Sequence, residues 1–118
     1  MAKDPFTQAL RRRDQITITT IGRRTGRAIA LPVWFVLERG RVWLLPTRGR
    51  RNHWFRNLLA NPTLTVRAGR YRRTFTVRPL ENKTVARRVA ARFRAKYGPE
   101  QVGEYYSGFD AAVEVRLL

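Results

Sequence analysis

Two short basic stretches offer the clearest chemistry in this chain. Arg23, Arg24 and Arg27 crowd the segment GRRTGR, and Arg48, Arg50 and Arg51 crowd TRGRRNHWFRNL further along. A turn carrying Gly22 and Gly26 lets backbone N–H groups approach an anion closely, and guanidinium groups beside it can grip a phosphate through two parallel hydrogen bonds. The second stretch, which begins at Thr47, runs straight into a predicted helix, whose free N–H groups and partial positive charge also accept anions. Each stretch alone reads as readily as a solvated loop that happens to carry arginine.

Between them lies LPVWFV. On a strand, Val33 and Phe35 face one way and Pro32, Trp34 and Val36 the other. Trp34 is either core or the wall of a pocket for a flat ring, and Trp54 and Phe55 pose the same choice. Other chemistries are poorly served. With His53 the only histidine, no Ser-His-Asp grouping can be placed. The eight acids are scattered, which argues against a paired-carboxylate hydrolase. There is no cysteine for a disulfide or a thiolate metal site, and no G-x-G-x-x-G between a strand and a helix. A chain poor in acid–base groups and rich in anion-binding ones suits chemistry carried by a cofactor.

The bulk composition agrees. The 118 residues suffice for one domain, expected over 1–118 with 1–14 as an N-terminal helix or arm. At 43% hydrophobic the chain is too apolar for disorder, yet no run approaches the roughly 18 residues of a membrane span. MAKDPFTQALRRRD lacks the apolar middle of a secretory signal, so a cytoplasmic protein is expected. The formal net charge is +17, and all 25 basic residues except Lys3, Lys83 and Lys96 are arginines. The expected partners are therefore anionic: a phosphorylated cofactor or, as the alternative, nucleic acid bound nonspecifically by a basic β-barrel whose aromatics stack bases.

The elements that must position these residues can be read in order. DPFTQALRRR predicts a short helix capped by Asp4, with Pro5 in its first position. QITITTIG alternates as a strand, RRTGR turns, and AIALPVWFVLE reads as one long second strand with Pro32 at a bulge or an edge. RG closes a hairpin into RVWLLPT. NHWFRNLLANP predicts a helix capped by Asn52, TLTVRA and YRRTFTVRPL form another hairpin, and AAVEVRLL is the last strand. In ENKTVARRVAARFRAKYG, Val85, Val89, Phe93 and Tyr97 make one apolar stripe, ended by Gly98 and Pro99. EQVGEYYSGF is a short helix or loop. The expected fold is mainly β: six antiparallel strands closing into a small barrel with two to three flanking helices, the long helix lying against it. If strands two and three form a hairpin, the turn before the one and the loop after the other share a sheet end, and both basic clusters can face one ligand.

ITTIGRRTGRAIALPVWFV followed by HWFRNLLANPTLTV resembles the deazaflavin-dependent nitroreductase family, whose split β-barrel is related to the flavin-binding pyridoxamine-phosphate-oxidase fold. The resemblance runs from about Ile16 to Val66 and more weakly to the C-terminal strand. It implies coenzyme F420, with FMN the alternative on related barrels, and an oxidoreductase of nitroreductase or quinone-reductase type acting on a small electrophile. By resemblance, Arg23, Arg24 and Arg27, with Thr25 and Gly26 of the same turn, meet the cofactor's negatively charged tail. Thr47 and Arg48, with Arg51 in the same loop, match the phosphate contact. Trp54 and Asn57 match helix residues beside the cofactor, and Pro32 and Trp34 match the strand lining the deazaflavin ring. Tyr105 and Tyr106 are the nearest counterparts of the family's C-terminal tyrosines and the candidate proton donors, with water the alternative. The loop RGRRNH is shorter than in better-known members and the tyrosine spacing differs, so substrate type does not carry over. Family barrels often pair, which makes a homodimer a further expectation.

Overall fold

Alternation along Ile16–Ile21 buries Ile16, Ile18 and Thr20 and leaves Thr17, Thr19 and Ile21 only partly covered, the signature of a strand with one face on a core. The computed structural model describes residues 4–117. This strand, β1, is flanked by β2 (Ala28–Val33) and β5 (Thr63–Ala68), and β6 (Tyr71–Thr76) completes an antiparallel sheet in the order β2-β1-β5-β6. A second antiparallel sheet contains β3 (Val36–Glu38), β4 (Arg41–Leu44), β7 (Arg78–Leu80) and β8 (Ala112–Arg116) in the order β3-β4-β8-β7. Arg39 and Gly40 both take positive φ, 51° and 74°, which gives the tight turn the β3–β4 hairpin needs.

Among the described residues, eight strands in two sheets thus replace the expected six-stranded barrel. The difference has one physical origin, which acts twice. AIALPVWFVLE leaves the first sheet after Val33 and enters the second at Val36. YRRTFTVRPL does the same across Val77. At each corner an inward residue, Phe35 or Val77, is buried in the core that the two sheets share. Side-chain alternation runs on through such a corner while the backbone hydrogen-bond ladder does not, so the pattern alone shows one strand.

Four α-helices among the described residues close the structure: α1 (Pro5–Arg11), α2 (His53–Ala60), α3 (Lys83–Tyr97) and α4 (Pro99–Tyr105). Asp4 caps α1, accepting from the Phe6 and Thr7 amides, and Phe6 and Leu10 seal one side of the shared core. From α2, Phe55 and Leu58 enter that core beside Ile18, Leu64, Val66 and Val113. The stripe of α3 packs as expected: Val89, Ala90 and Phe93 meet Val36, Trp43, Leu45 and Ala112 on the outer face of the second sheet, with Val102 of α4. Gly98, with φ of 97°, ends α3 and Pro99 opens α4.

The corner at Phe35 creates a problem that α3 solves. Phe35 is fully buried, and its N–H and C=O belong to neither ladder. An unpaired buried backbone group costs about 1–3 kcal/mol. The Tyr97 hydroxyl accepts from the Phe35 amide at 3.1 Å and lies 2.8 Å from the Phe35 carbonyl and 2.6 Å from that of Asp14. Lys96 Nζ donates to the same Phe35 carbonyl at 2.8 Å. Burial is the main force pushing the Tyr97 phenol up to about 12. The folded state therefore keeps this proton at a pH where the unfolded chain, near pH 10, has released it. That contribution is complete below pH 10 and is lost as the pH rises through 12. Tyr97→Phe should lower the unfolding free energy by about 1–3 kcal/mol near neutrality and flatten the fall in stability between pH 10 and 12, both measured by denaturant unfolding across that range.

Candidate functional site

The turn between β1 and β2 is pinned from behind by α2. Gly22 and Arg27 close it with a 2.8 Å backbone hydrogen bond, and Gly26, at φ of 72°, takes a left-handed conformation that a larger residue would resist. Asn57, from α2, is 3% exposed. Its Oδ1 accepts from the Arg23 amide at 3.2 Å and from the Arg23 guanidinium at 2.8 Å, while its Nδ2 donates to the buried Thr20 hydroxyl. The Arg23 guanidinium also reaches the His53 carbonyl at the first turn of α2. Arg23 is thus a strut rather than a free hand. Desolvation, aided by the neighbouring Arg56 and Arg24 charges, holds it below the ordinary arginine pKa.

The second basic stretch arrives at the same helix end. After β4 the chain makes a single 3₁₀ turn (Gly49–Arg51), and Asn52 caps α2 by accepting from the Trp54 amide. The Asn52 amide donates to Thr47 Oγ1 at 2.9 Å, which ties the loop to the cap. On its other side the loop is clamped to the segment after α4: the Ser107 amide donates to the Thr47 carbonyl, and Asp110 binds the Arg50 amide and guanidinium. A Cβ on Gly49 would collide with the Gly108 carbonyl and the Asp110 carboxylate, so only glycine fits this approach. The two clusters do converge, but not through the expected hairpin: AIALPVWFVLE pairs with RVWLLPT only over its second half, as β3 with β4, while its first half, β2, which follows the basic turn, lies in the other sheet. The helix α2 brings them together.

Arg24, Arg27, Arg48 and Arg51 are exposed, and among the described residues none makes an ion pair. Arg50, by contrast, is spent on Asp110 and Glu81. Some 20 Å along β2, at the 3.3 Å rise of a strand, stands Trp34. Its ring stacks on Tyr97, with centroids 4.3 Å apart and planes 8° from parallel, and Tyr105 meets it edge-on at 5.8 Å. Tyr106 lies 5.9 Å from Trp34 and immediately precedes the Ser107 that holds Thr47. A continuous belt therefore joins a group of uncompensated guanidiniums to an aromatic cluster, a donor set suited to a long ligand with a phosphate or carboxylates at one end and a flat ring at the other.

A sequence model described as F420H(2)-dependent quinone reductase matches residues 3–118. The chain belongs to that family. It is accordingly an oxidoreductase of a family that works with coenzyme F420. Solved structures share the fold. One, described as an F420-H2 dependent reductase (FDR-A), is 24% identical, with 88% of this chain and 95% of that one covered at a TM-score of 0.67. Another, described as a domain-swapped dimer, is 23% identical over 88% and 81% of the two chains, with a TM-score of 0.67. A third, a pyridoxamine 5'-phosphate oxidase-type protein from Listeria innocua, is 9% identical over 98% and 92%, with a TM-score of 0.71. The split-barrel relationship is thereby upheld at the level of the fold. No helix among the described residues is long and apolar enough to cross a membrane.

The expected site residues of this reductase fall into distinct places. Arg24, Thr25, Gly26, Arg27, Thr47, Arg48 and Arg51 are exposed along the belt, and Pro32 is exposed on β2, an outermost strand of its sheet. Arg23 and Asn57 stand behind the turn as support. Trp54 is 6% exposed and packs in the shared core. Tyr105 is 54% exposed, whereas Tyr106 is buried against Phe93. Three contributors escaped sequence reading: Tyr97, which the helical stripe placed in the core; Ser107, which acts through its backbone; and Thr20, an inward polar residue whose position in the β1 alternation was its only signal. Asn57→Ala leaves the Thr20 hydroxyl and the Arg23 amide without their partner. It should cost about 1–3 kcal/mol and speed tryptic cleavage at Arg24 and Arg27, as read by thermal melting and timed proteolysis.

Proposed function

We propose that the belt from Arg23–Arg27 to Trp34 is the coenzyme site, and that the chain reduces a small planar electrophile of quinone or nitro-aromatic type. The observation that carries this reading is the meeting of both arginine clusters at the start of α2, through Arg23, His53, Asn52 and Thr47. Arg24 and Arg27 are offered to the acidic tail, and Arg48, Arg51 and the Thr47 hydroxyl to the phosphate. Trp34, backed by Tyr97, presents a rigid face for the ring. The reduced deazaflavin supplies a hydride when bound. The protein's part is to hold ring and substrate in register, to keep water from their contact, and to provide a proton to the reduced product. Tyr105, open to solvent and edge-on to Trp34, is the phenol placed to do so. Tyr106 is less suited, because burial drives its phenol well above the ordinary tyrosine pKa and so weakens it as an acid. The family match favours this coenzyme over FMN, and the comparisons lend a nucleic-acid role no support. Association into a homodimer belongs to the same proposal, and light scattering on the purified chain would read it.

Titration of the purified chain with F420 should quench the coenzyme's fluorescence at one site, with FMN binding more weakly. Arg24→Ala should weaken F420 binding about 10- to 100-fold, the loss of one charge-assisted phosphate or carboxylate contact. Absence of F420 binding, or an unchanged Arg24→Ala variant, would remove the assignment. Separately, Tyr105→Phe should lower kcat about 10- to 100-fold with F420 affinity intact, the ordinary reach of one general acid. An unchanged kcat would hand the proton to water.

A further inference from the structure

A cleft of about 930 Å³ opens on a different part of the molecule, between α1, the β3–β4 turn and the last turns of α3, and none of the residues assigned above to the coenzyme lines it. Its floor is apolar, formed by the half-buried Leu37 with the edges of the nearly covered Leu10, Val36 and Leu117 over the fully covered Phe35. Its charged rim is lopsided. Glu38 is taken up by Arg92 at 2.6 Å and Arg88 at 3.3 Å, and Asp4 by Arg73 at 3.4 Å. Arg11, Arg39 and Lys96, all on the lining, make no ion pair among the described residues.

Lys96 is the informative one. The residue is exposed, yet its ammonium donates to the Phe35 carbonyl at 2.8 Å and lies 3.8 Å from the centroid of the buried Phe35 ring. An ammonium carries three donors, and a single carbonyl answers one of them. Partial burial beside the ring lowers its pKa, and Asp14, the acid that counteracts this, does so from beyond ion-pair distance. A partly desolvated cation with no ion-pair partner, beside an apolar floor, is an arrangement that a bound anion would relieve. Inorganic phosphate would answer the charges and leave the floor wet. A purely apolar molecule would cover the floor and deepen the desolvation of Lys96. Only a ligand with both parts satisfies both surfaces, and the volume is within the ordinary range for a small-molecule site.

We propose that this cleft binds a small amphipathic organic anion, its oxyanion head held by Lys96 with Arg39 and Arg11 and its apolar body laid along Leu10, Leu37 and Leu117. The site is separate from the coenzyme belt and independent of the function proposed for it.

Decanoate, with 1-decanol and inorganic phosphate as its two halves, is the probe. Calorimetric titration of the full chain, alone and loaded with F420, should show one decanoate per chain at the same affinity in both states. Decanol and phosphate should each bind at least about tenfold more weakly. Lys96→Met should weaken decanoate about tenfold or more, the loss of one charge-assisted hydrogen bond. Ala95→Trp, which fills the cleft from an exposed position on α3, should abolish binding while leaving the melting temperature and F420 affinity near wild type. Decanoate that fails to bind, that binds both variants like wild type, or that binds in several copies displaced by phosphate overturns the proposal. The last of these outcomes marks the general attraction of a surface of net charge +17.

Discussion

A buried chain corner must find partners for its backbone polar groups, and in this protein the corner at Phe35 sets much else in place. The Phe35 ring plugs the core between the sheets while its N–H and C=O turn to the Tyr97 hydroxyl and the Lys96 ammonium. Those contacts fix the end of α3 against the point where one sheet becomes the other. They also fix the Tyr97 ring, on which Trp34 stacks. Of these two neighbours on α3, Tyr97 supports the aromatic end of the proposed coenzyme belt, and Lys96 lines the cleft between α1 and the β3–β4 turn. Had the strand run straight, Phe35 would have been paired in a ladder and α3 would have carried no polar obligation at that end.

The arginine excess becomes intelligible once the acids are followed. Asp4, Glu38, Glu81, Asp110 and Glu114 all pair with arginines away from the β1–β2 turn. Glu114 is the extreme case: it is 6% exposed and within 4 Å of Arg41, Arg78 and Arg116. With few acids and most of them committed, Arg24, Arg27, Arg48 and Arg51 remain uncompensated where α2 begins. The anion affinity proposed for the belt therefore rests on a lack of local counter-charge as much as on the arginines themselves.

Much of this was legible in the chain. The period-two alternation of ITITTI, the stripe Val85–Val89–Phe93 and the caps at Asp4, Asn52 and Gly98 all appear as read, because each is a local rule acting within a few residues. The opposite facing of Trp34 and Phe35 was legible for the same reason: one now belongs to the α3–α4 cluster and the other to the shared core. The strand count was not. Whether an alternating run stays in one sheet depends on which strand accepts its hydrogen bonds at each point, and the change of partner from β1 to β4 between Val33 and Val36, or from β5 to the remote β8 across Val77, leaves no mark on the alternation.

The sequence by itself determined the element types, the basic character of the turn and loop, and a family pattern strong enough to suggest the coenzyme, because these depend on residue identity and short spacing. Tertiary structure alone decided which arginines act as struts and which stay free. It placed Trp54 in the core and Trp34 beside Tyr97, and it made α2 rather than a strand hairpin the element that joins the two clusters. The reason is physical: burial and hydrogen-bond partnership are properties of surroundings, and a residue's surroundings come from segments that the local pattern does not encode.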